Sequence, residues 1–166
     1  MKLIVAVDNN WGIGKNNGLL FSLKGDMDFF KEKTTGKVVV MGYNTLLSFP
    51  NSKPLKNRVN IVLAPDGVER EDCIVCHTLE DTFAEIKKYP PDDVFVIGGA
   101  MFYRTMYPYC TEAYITHVNA DGGAEVFFDD LSKLSEWKRE DLSEVLSENG
   151  VEYQFTKYLN SAPQKY

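Results

Sequence analysis

Short runs of β-branched and aliphatic residues alternate along the chain with stretches of helical spacing. The runs are Leu3–Val7, Lys37–Met41, Arg58–Leu63, Cys73–Cys76, Asp93–Ile97, Ala113–Val118 and Val151–Tyr158. The first five are almost continuously apolar, the pattern of strands buried on both faces in a parallel sheet covered by helices. Between them the spacing predicts a helix over 26–33 with Met27 and Phe30 on its inner face and a short one from Thr45. Two more follow over 78–88, with Phe83 and Ile86 inward, and over 100–107. Thr78 and Asp81 resemble a capping box, with Asp in the usual place of Glu. Asn149-Gly150 is a two-residue hairpin signal joining 137–146 to 151–158. The order implies an α/β fold: a mostly parallel central sheet of about eight strands, an antiparallel C-terminal hairpin and helices on both faces. Residues 1–160 read as a single domain and 161–166 as a frayed tail. Sheets of this kind bind ligands beyond the carboxyl ends of their strands, so the residues following 3–7, 37–41, 58–63 and 93–97 carry the most information.

Composition narrows the classes. At 166 residues, 44% hydrophobic and 25% charged, the chain has enough apolar material for a core and is neither disordered nor fibrous. A net charge of −6 sets the surface against nucleic acid and anionic lipid, while leaving room for a local basic pocket that takes a small anion. The N-terminal apolar run is too short for a signal segment or a membrane span, so the expected compartment is the cytoplasm.

Three cysteines, Cys73, Cys76 and Cys110, make an odd count that argues against a disulfide framework. The run Cys73-Ile74-Val75-Cys76-His77 spells the haem-attachment and CxxC patterns. On a strand, however, residues three apart face opposite ways, so the two sulfurs diverge. No metal site is expected.

Several loops could carry chemistry. Gly98-Gly99-Ala100 leads from a strand into a helix, where glycine admits close backbone approach and a helix start offers free N–H groups to phosphate; a plain tight turn has the same letters. Gly42-Tyr43-Asn44-Thr45 repeats the arrangement one strand away, and two helix starts at one sheet edge could hold a pyrophosphate together. Residues 8–18, long, polar and with three glycines, read as a mobile lid or as an ordinary surface loop. Asp26 stands at a helix start beside apolar residues. It is either an N-cap or first-turn dipole partner, or a carboxylate of raised pKa that pairs with a nitrogen heterocycle, and the sequence leaves both open.

Together these residues resemble dihydrofolate reductase of the bacterial type. The resemblance runs from Leu3 to about Tyr158 on Ala6-Val7 leading to Gly12-Ile13-Gly14, LLFSLKGDMDFFKEKT (19–34), VVVMGYNT (38–45) with Ser48, KPLKNRVNIVL (53–63), VFVIGGAMFY (94–103) and YITHV (114–118). It implies an NADPH-dependent oxidoreductase that turns 7,8-dihydrofolate into 5,6,7,8-tetrahydrofolate for one-carbon metabolism. Asp26 would be the one ionisable group in the pterin pocket, with Thr116 behind it. Ile4, Val5 and Ile97 would offer backbone contacts to the pterin; Met27, Phe30, Phe49 and Leu55 would wall the pocket. Arg58 would take the glutamate α-carboxylate. The cofactor would lie along Ala6, Ile13, Gly14, Gly42, Tyr43, Asn44, Thr45, Leu63, Ala64, Gly98, Gly99, Ala100, Met101 and Phe102, with a cis Gly98–Gly99 peptide and residues 9–23 as the lid. Hydride would pass from nicotinamide C4 to pterin C6, and water would bring the proton to N5. The implied partners are dihydrofolate and antifolate inhibitors, bound by a monomer that engages neither nucleic acid nor membrane.

The sequence departs from the family at two places. Phe21 and Leu20 stand where the family usually has Trp and Pro, which removes a lid indole and implies weaker trimethoprim binding. Tyr43, Pro65 and Met101 fall where Arg, Ser or Thr, and Arg commonly surround the adenosine 2′-phosphate. Losing charge-assisted bonds of about 1.5–3 kcal/mol each implies a weakened preference for NADPH and usable NADH. Two alternatives share most of these features: a pyrimidine reductase of riboflavin synthesis, which would not need Asp26, and a non-catalytic folate- or nucleotide-binding homologue.

Overall fold

A computed structural model describes residues 1–166. Six strands run parallel: β1 (Lys2–Val7), β3 (Val38–Gly42), β4 (Val59–Leu63), β5 (Ile74–Cys76), β6 (Val94–Gly98) and β7 (Glu112–Val118). The remaining strands of the main sheet, β9 (Trp137–Asp141), β10 (Leu146–Glu148) and β11 (Val151–Asn160), are joined through β11, which lies antiparallel to β7. Across the sheet the order is β10-β11-β7-β1-β6-β3-β4-β5, with β9 also on β11. The expected α/β architecture is present.

Continuous apolar runs produce this arrangement because alternate residues serve two cores. Val38 and Val40 of β3 face a cluster with Val94, Val96, Ile86 and Met106, under the helices α3 (Leu79–Ile86) and α4 (Ala100–Met106). Val39 and Met41 face the opposite cluster with Phe95, Ile97 and Leu46, under α1 (Lys24–Thr34) and α2 (Tyr43–Ser48). Strand β5 shows the same division: Ile74 and Cys76 join the first cluster, Cys73 and Val75 the second. The cysteines of the CxxCH run therefore point away from each other, and all three cysteines are unpaired.

Local signals that were strong in the sequence appear as expected. The Thr78 hydroxyl accepts the Asp81 N–H at 3.0 Å and caps α3. Asn149 and Gly150 both take positive φ, 53° and 79°, the backbone of a tight hairpin.

Five details differ from expectation. Helix α1 begins two residues early, at Lys24, which puts Asp26 inside the first turn rather than at the cap. Helix α2 begins at Tyr43, with Gly42 as its N-cap, so Thr45 is its third residue. Segment 137–146 is two strands, because Ser143 interrupts the ladder: its hydroxyl accepts the Phe155 N–H at 3.1 Å and its carbonyl accepts from Gln154 at 2.8 Å. Within the glycine-bearing loop, β2 (Gly12–Gly14) pairs with β8 (Val126–Phe127) in a separate ribbon. The tail, expected to fray, is tied down: the Gln164 N–H donates to Pro108 O at 2.8 Å, and the Tyr166 ring stacks on Phe83 with centroids 5.3 Å apart. Aromatic burial at the last residue offsets the chain entropy that usually frees a terminus.

Candidate active site

The carboxyl ends of β7, β1, β6, β3 and β4 form a row, and the residues singled out by the sequence sort along it. At one end, β1 and β7 pair in a register that sets Ala6 opposite Thr116. Helix α1 lies over this pair. The Thr116 hydroxyl, itself buried, donates to Asp26 Oδ1 at 2.7 Å. The Asp26 carboxyl faces an apolar cleft lined by Ala6, Ile13, Leu20, Phe21, Leu23 and Val118. Burial is the largest influence on it and raises its pKa; the Thr116 hydrogen bond opposes this, and the charge of Glu148 adds to it. Asp26 lies in the first turn of α1, as a dipole partner would, and its carboxylate also turns into the cleft and accepts from Thr116.

Ile4 and Ile97 are buried beside this cleft's floor, and the Ile4 carbonyl accepts the Tyr103 hydroxyl at 2.8 Å. Phe30, Phe49 and Leu55 pack together against the Ile4 and Ile97 cluster. Met27 does not join them: it is 56% exposed, and the residue sharing the inner face with Phe30 is Phe29, stacked on Phe155 at 4.2 Å. The reason is helical register, since Asp26, Phe29, Phe30 and Lys33 fall on one face. Arg58 is half-buried. Its Nη1 donates to the Thr34 hydroxyl at 3.0 Å, its Nε donates to the Lys56 carbonyl at 2.9 Å, and burial lowers its pKa.

Further along the row, β6 and β3 are neighbours, and the register slips between Val40 and Met41 so that Met41 pairs with Gly98. The Gly98–Gly99 peptide is cis, as the family resemblance implies, and Gly98 has φ 133°, open to glycine alone. A Cβ on Gly98 or Gly99 would lie 3.3 or 3.4 Å from Thr45 Oγ1, so the two strand-to-helix turns sit against each other. Neither α2 nor α4 has a side-chain N-cap, in contrast to α3. Leu63 pairs with Gly42 at the end of β4, and Ala64 follows, buried. Asn44 and Met101 are exposed and Tyr43 is half-buried.

The glycine-bearing segment borders the cleft at the β1–β7 end of the row, where Ile13, Leu20 and Phe21 line it with Ala6 and Val118. Asp8, 2% exposed, accepts N–H groups from Asn10 (2.9 Å), Gly12 (2.7 Å) and Gly122 (3.0 Å), clasping the segment's base to the loop before β8. Leu20 and Phe21 pack on Gly122, where a Cβ would lie 2.9 Å from Leu20 and 3.1 Å from Phe21. Sequence reasoning gave no role to Asp8, Tyr103 or Glu148. Tyr103 closes the run VFVIGGAMFY, and Asp8 accepts from Asn10 and Gly12, two and four residues on, a local turn contact that an Asp opening a glycine-bearing loop can signal; Glu148 has partners only far along the chain.

A profile of the family described as dihydrofolate reductase matches residues 1–160. The chain belongs to the dihydrofolate reductase family. It is 34% identical to the dihydrofolate reductase of Bacillus subtilis (strain 168) over 167 aligned residues, which cover 95% of this chain and 93% of the relative. Identity to the dihydrofolate reductase of Schistosoma mansoni is also 34%, over 182 residues and 95% of each chain. The match favours dihydrofolate reductase over the pyrimidine reductase alternative. This chain has the cleft carboxylate Asp26 and the double glycine Gly98-Gly99, with Tyr43 and Met101 following β3 and β6.

Proposed function

We infer that the chain reduces 7,8-dihydrofolate to 5,6,7,8-tetrahydrofolate with NADPH, the reaction that feeds one-carbon metabolism. The observation that carries this reading is Asp26: one carboxyl group in an otherwise apolar cleft, held by Thr116 and shifted toward its protonated form. Such a group matches a flat heterocycle that presents adjacent N–H donors and gains a proton during reaction.

The residues present fit the nicotinamide cofactor. The Gly98–Gly99 turn sits close against Thr45, where a Cβ would be tightly packed, and the N–H groups at the starts of α2 and α4 have no side-chain acceptor. When bound, the cofactor supplies the hydride. We assign the chain's own residues as follows. Asp26 binds pterin N3 and the 2-amino group and stabilises the protonated ring; Thr116 fixes its orientation. Ile4, Val5 and Ile97 contact the ring through their backbone, and Phe30, Phe49 and Leu55 wall it, with Met27 at the mouth. Arg58 takes the glutamate α-carboxylate. Ala6, Ile13 and Gly14 line the nicotinamide, and Leu20 and Phe21 limit water, which brings the proton to N5. Antifolates seat in the same pocket. The compartment we assign is the cytoplasm, supported by three cysteines that stand unpaired.

Replacing the acid tests the reading. Asp26→Asn is expected to lower kcat/KM for dihydrofolate about 100-fold or more at neutral pH, followed at 340 nm. Undiminished turnover would contradict the role of Asp26. Tight antifolate binding by a parent protein that turns nothing over would instead favour the non-catalytic homologue.

A further inference from the structure

Helix α1 starts without help from its own residues. Its N-cap is Leu23, which has no polar side chain. The first two N–H groups of the helix donate across the fold to a single carboxylate: Lys24 N to Glu148 Oε2 at 2.6 Å, and Gly25 N to Glu148 Oε1 at 2.9 Å. Both oxygens of Glu148, at the end of β10, are thereby used on consecutive peptides immediately before Asp26. The approach depends on Gly25, because a Cβ there would run into the Tyr153 hydroxyl and lie 3.6 Å from Glu148 Oε1.

We propose that Glu148 is a positioning residue for the reaction, holding the first turn of α1 so that Asp26 is presented to the pterin. The proposal rests on the reading of Asp26 given above. Two consequences follow from its being a carboxylate. It supplies the acceptor that α1 lacks, and a negative charge near the positive end of a helix stabilises that end. It is also a second negative charge close to a buried acid, and it acts with burial to keep the proton on Asp26 as pH rises. Of the other groups around Asp26, only the Thr116 hydroxyl opposes burial and Glu148, and its hydrogen bond acts more strongly than the Glu148 charge. Thr116 of β7 favours the anion; Tyr103 of α4 and Tyr153 of β11 are neutral phenols that themselves feel Asp26; Lys24 is paired with Asp28 at 2.7 Å. No cation is among the groups acting on Asp26.

The test compares the parent with Glu148→Gln and Glu148→Ala by two measurements. One is the pH titration of the Asp26 carboxyl by carbon-13 NMR on protein without ligands, which needs no activity. The other is the pH dependence of kcat and KM for dihydrofolate with saturating NADPH. Glu148→Gln retains the length and one acceptor oxygen but loses the charge, so the Asp26 titration is expected at lower pH than in the parent. Glu148→Ala loses the cap as well, and KM is expected to rise about tenfold with kcat at low pH changed less than twofold, the size of a lost helix cap. Glu148→Asp is expected to bring the titration back toward the parent's. An Asp26 titration in Glu148→Gln that superimposes on the parent's overturns the proposal whatever the kinetics. A parent that fails to turn over dihydrofolate sinks the functional reading instead, and the NMR titration still decides the coupling between the two carboxylates.

Discussion

The chain has four arginines, and three of them are committed to carboxylates: Arg70 to Asp72 at 2.7 Å, Arg139 to Asp141 at 2.8 Å and Arg104 more loosely to Asp129 at 3.4 Å. Only Arg58 has no acidic partner. A half-buried guanidinium that is hydrogen-bonded to neutral groups yet left unpaired suits an incoming carboxylate. At the opposite end of the row the position is reversed. Tyr43 and Met101 offer no charge, and Arg70 is held by Asp72. The expected outcome is modest discrimination between NADPH and NADH. The double variant Tyr43→Arg, Met101→Arg is expected to raise the NADPH-to-NADH ratio of kcat/KM at least tenfold, since one charge-assisted bond to phosphate is worth about 1.5–3 kcal/mol. A ratio that does not move would mean that the 2′-phosphate does not lie against these two residues.

At the scale of elements, helix α1 depends on one glycine. Gly25→Ala is expected to cost about 1–3 kcal/mol through overpacking, read from the midpoint of denaturant unfolding, even though alanine is the better helix former. Adding Tyr153→Phe, which removes the atom in the way, is expected to restore most of the loss; no recovery would place the strain elsewhere. This contact also marks the limit of what the sequence reveals. Strand runs, the Thr78 cap and the Asn149-Gly150 turn were legible because each is decided within a few residues. The carboxyl-edge location of the site followed from strand order. What was not legible depends on partners far along the chain: the Glu148 cap, the β2–β8 ribbon, the break at Ser143, the docking of Tyr166, and the exchange of Met27 for Phe29. Met27 and Phe29 exchange places because the helix turns Asp26, Phe29, Phe30 and Lys33 to one face, where Phe29 meets Phe155. The roles of Asp26 and Arg58 came from family resemblance, since a lone Asp at a helix start has a structural explanation of its own.

Across the whole molecule, His117 ties three regions together. Its Nε2 lies 2.9 Å from the Tyr158 hydroxyl of β11, and Trp11, at the base of the glycine-bearing segment, meets its ring edge-on at 5.3 Å. Burial is the main cause that lowers its pKa to about 4, with Arg139 acting in the same direction. In the unfolded chain the value is the ordinary 6.5, so between these pH values the unfolded state binds more protons and stability falls as pH falls. The thermal midpoint of the parent is therefore expected to drop from pH 6.5 to 4 more steeply than that of His117→Asn; parallel curves would remove His117 from the cause. Asp26 contributes with the opposite sign, because its raised pKa adds stability at low pH that is lost as pH climbs. The distances along the chain between the groups that complete the cleft have one more consequence. Asp26 meets Thr116 across 90 positions, and the peptide before it meets Glu148 across 123. During synthesis the cleft is thus unfinished until β10 and β11 have left the ribosome. Folate and nucleotide in the cell can stabilise only the completed chain by mass action, and the growing one must fold without them.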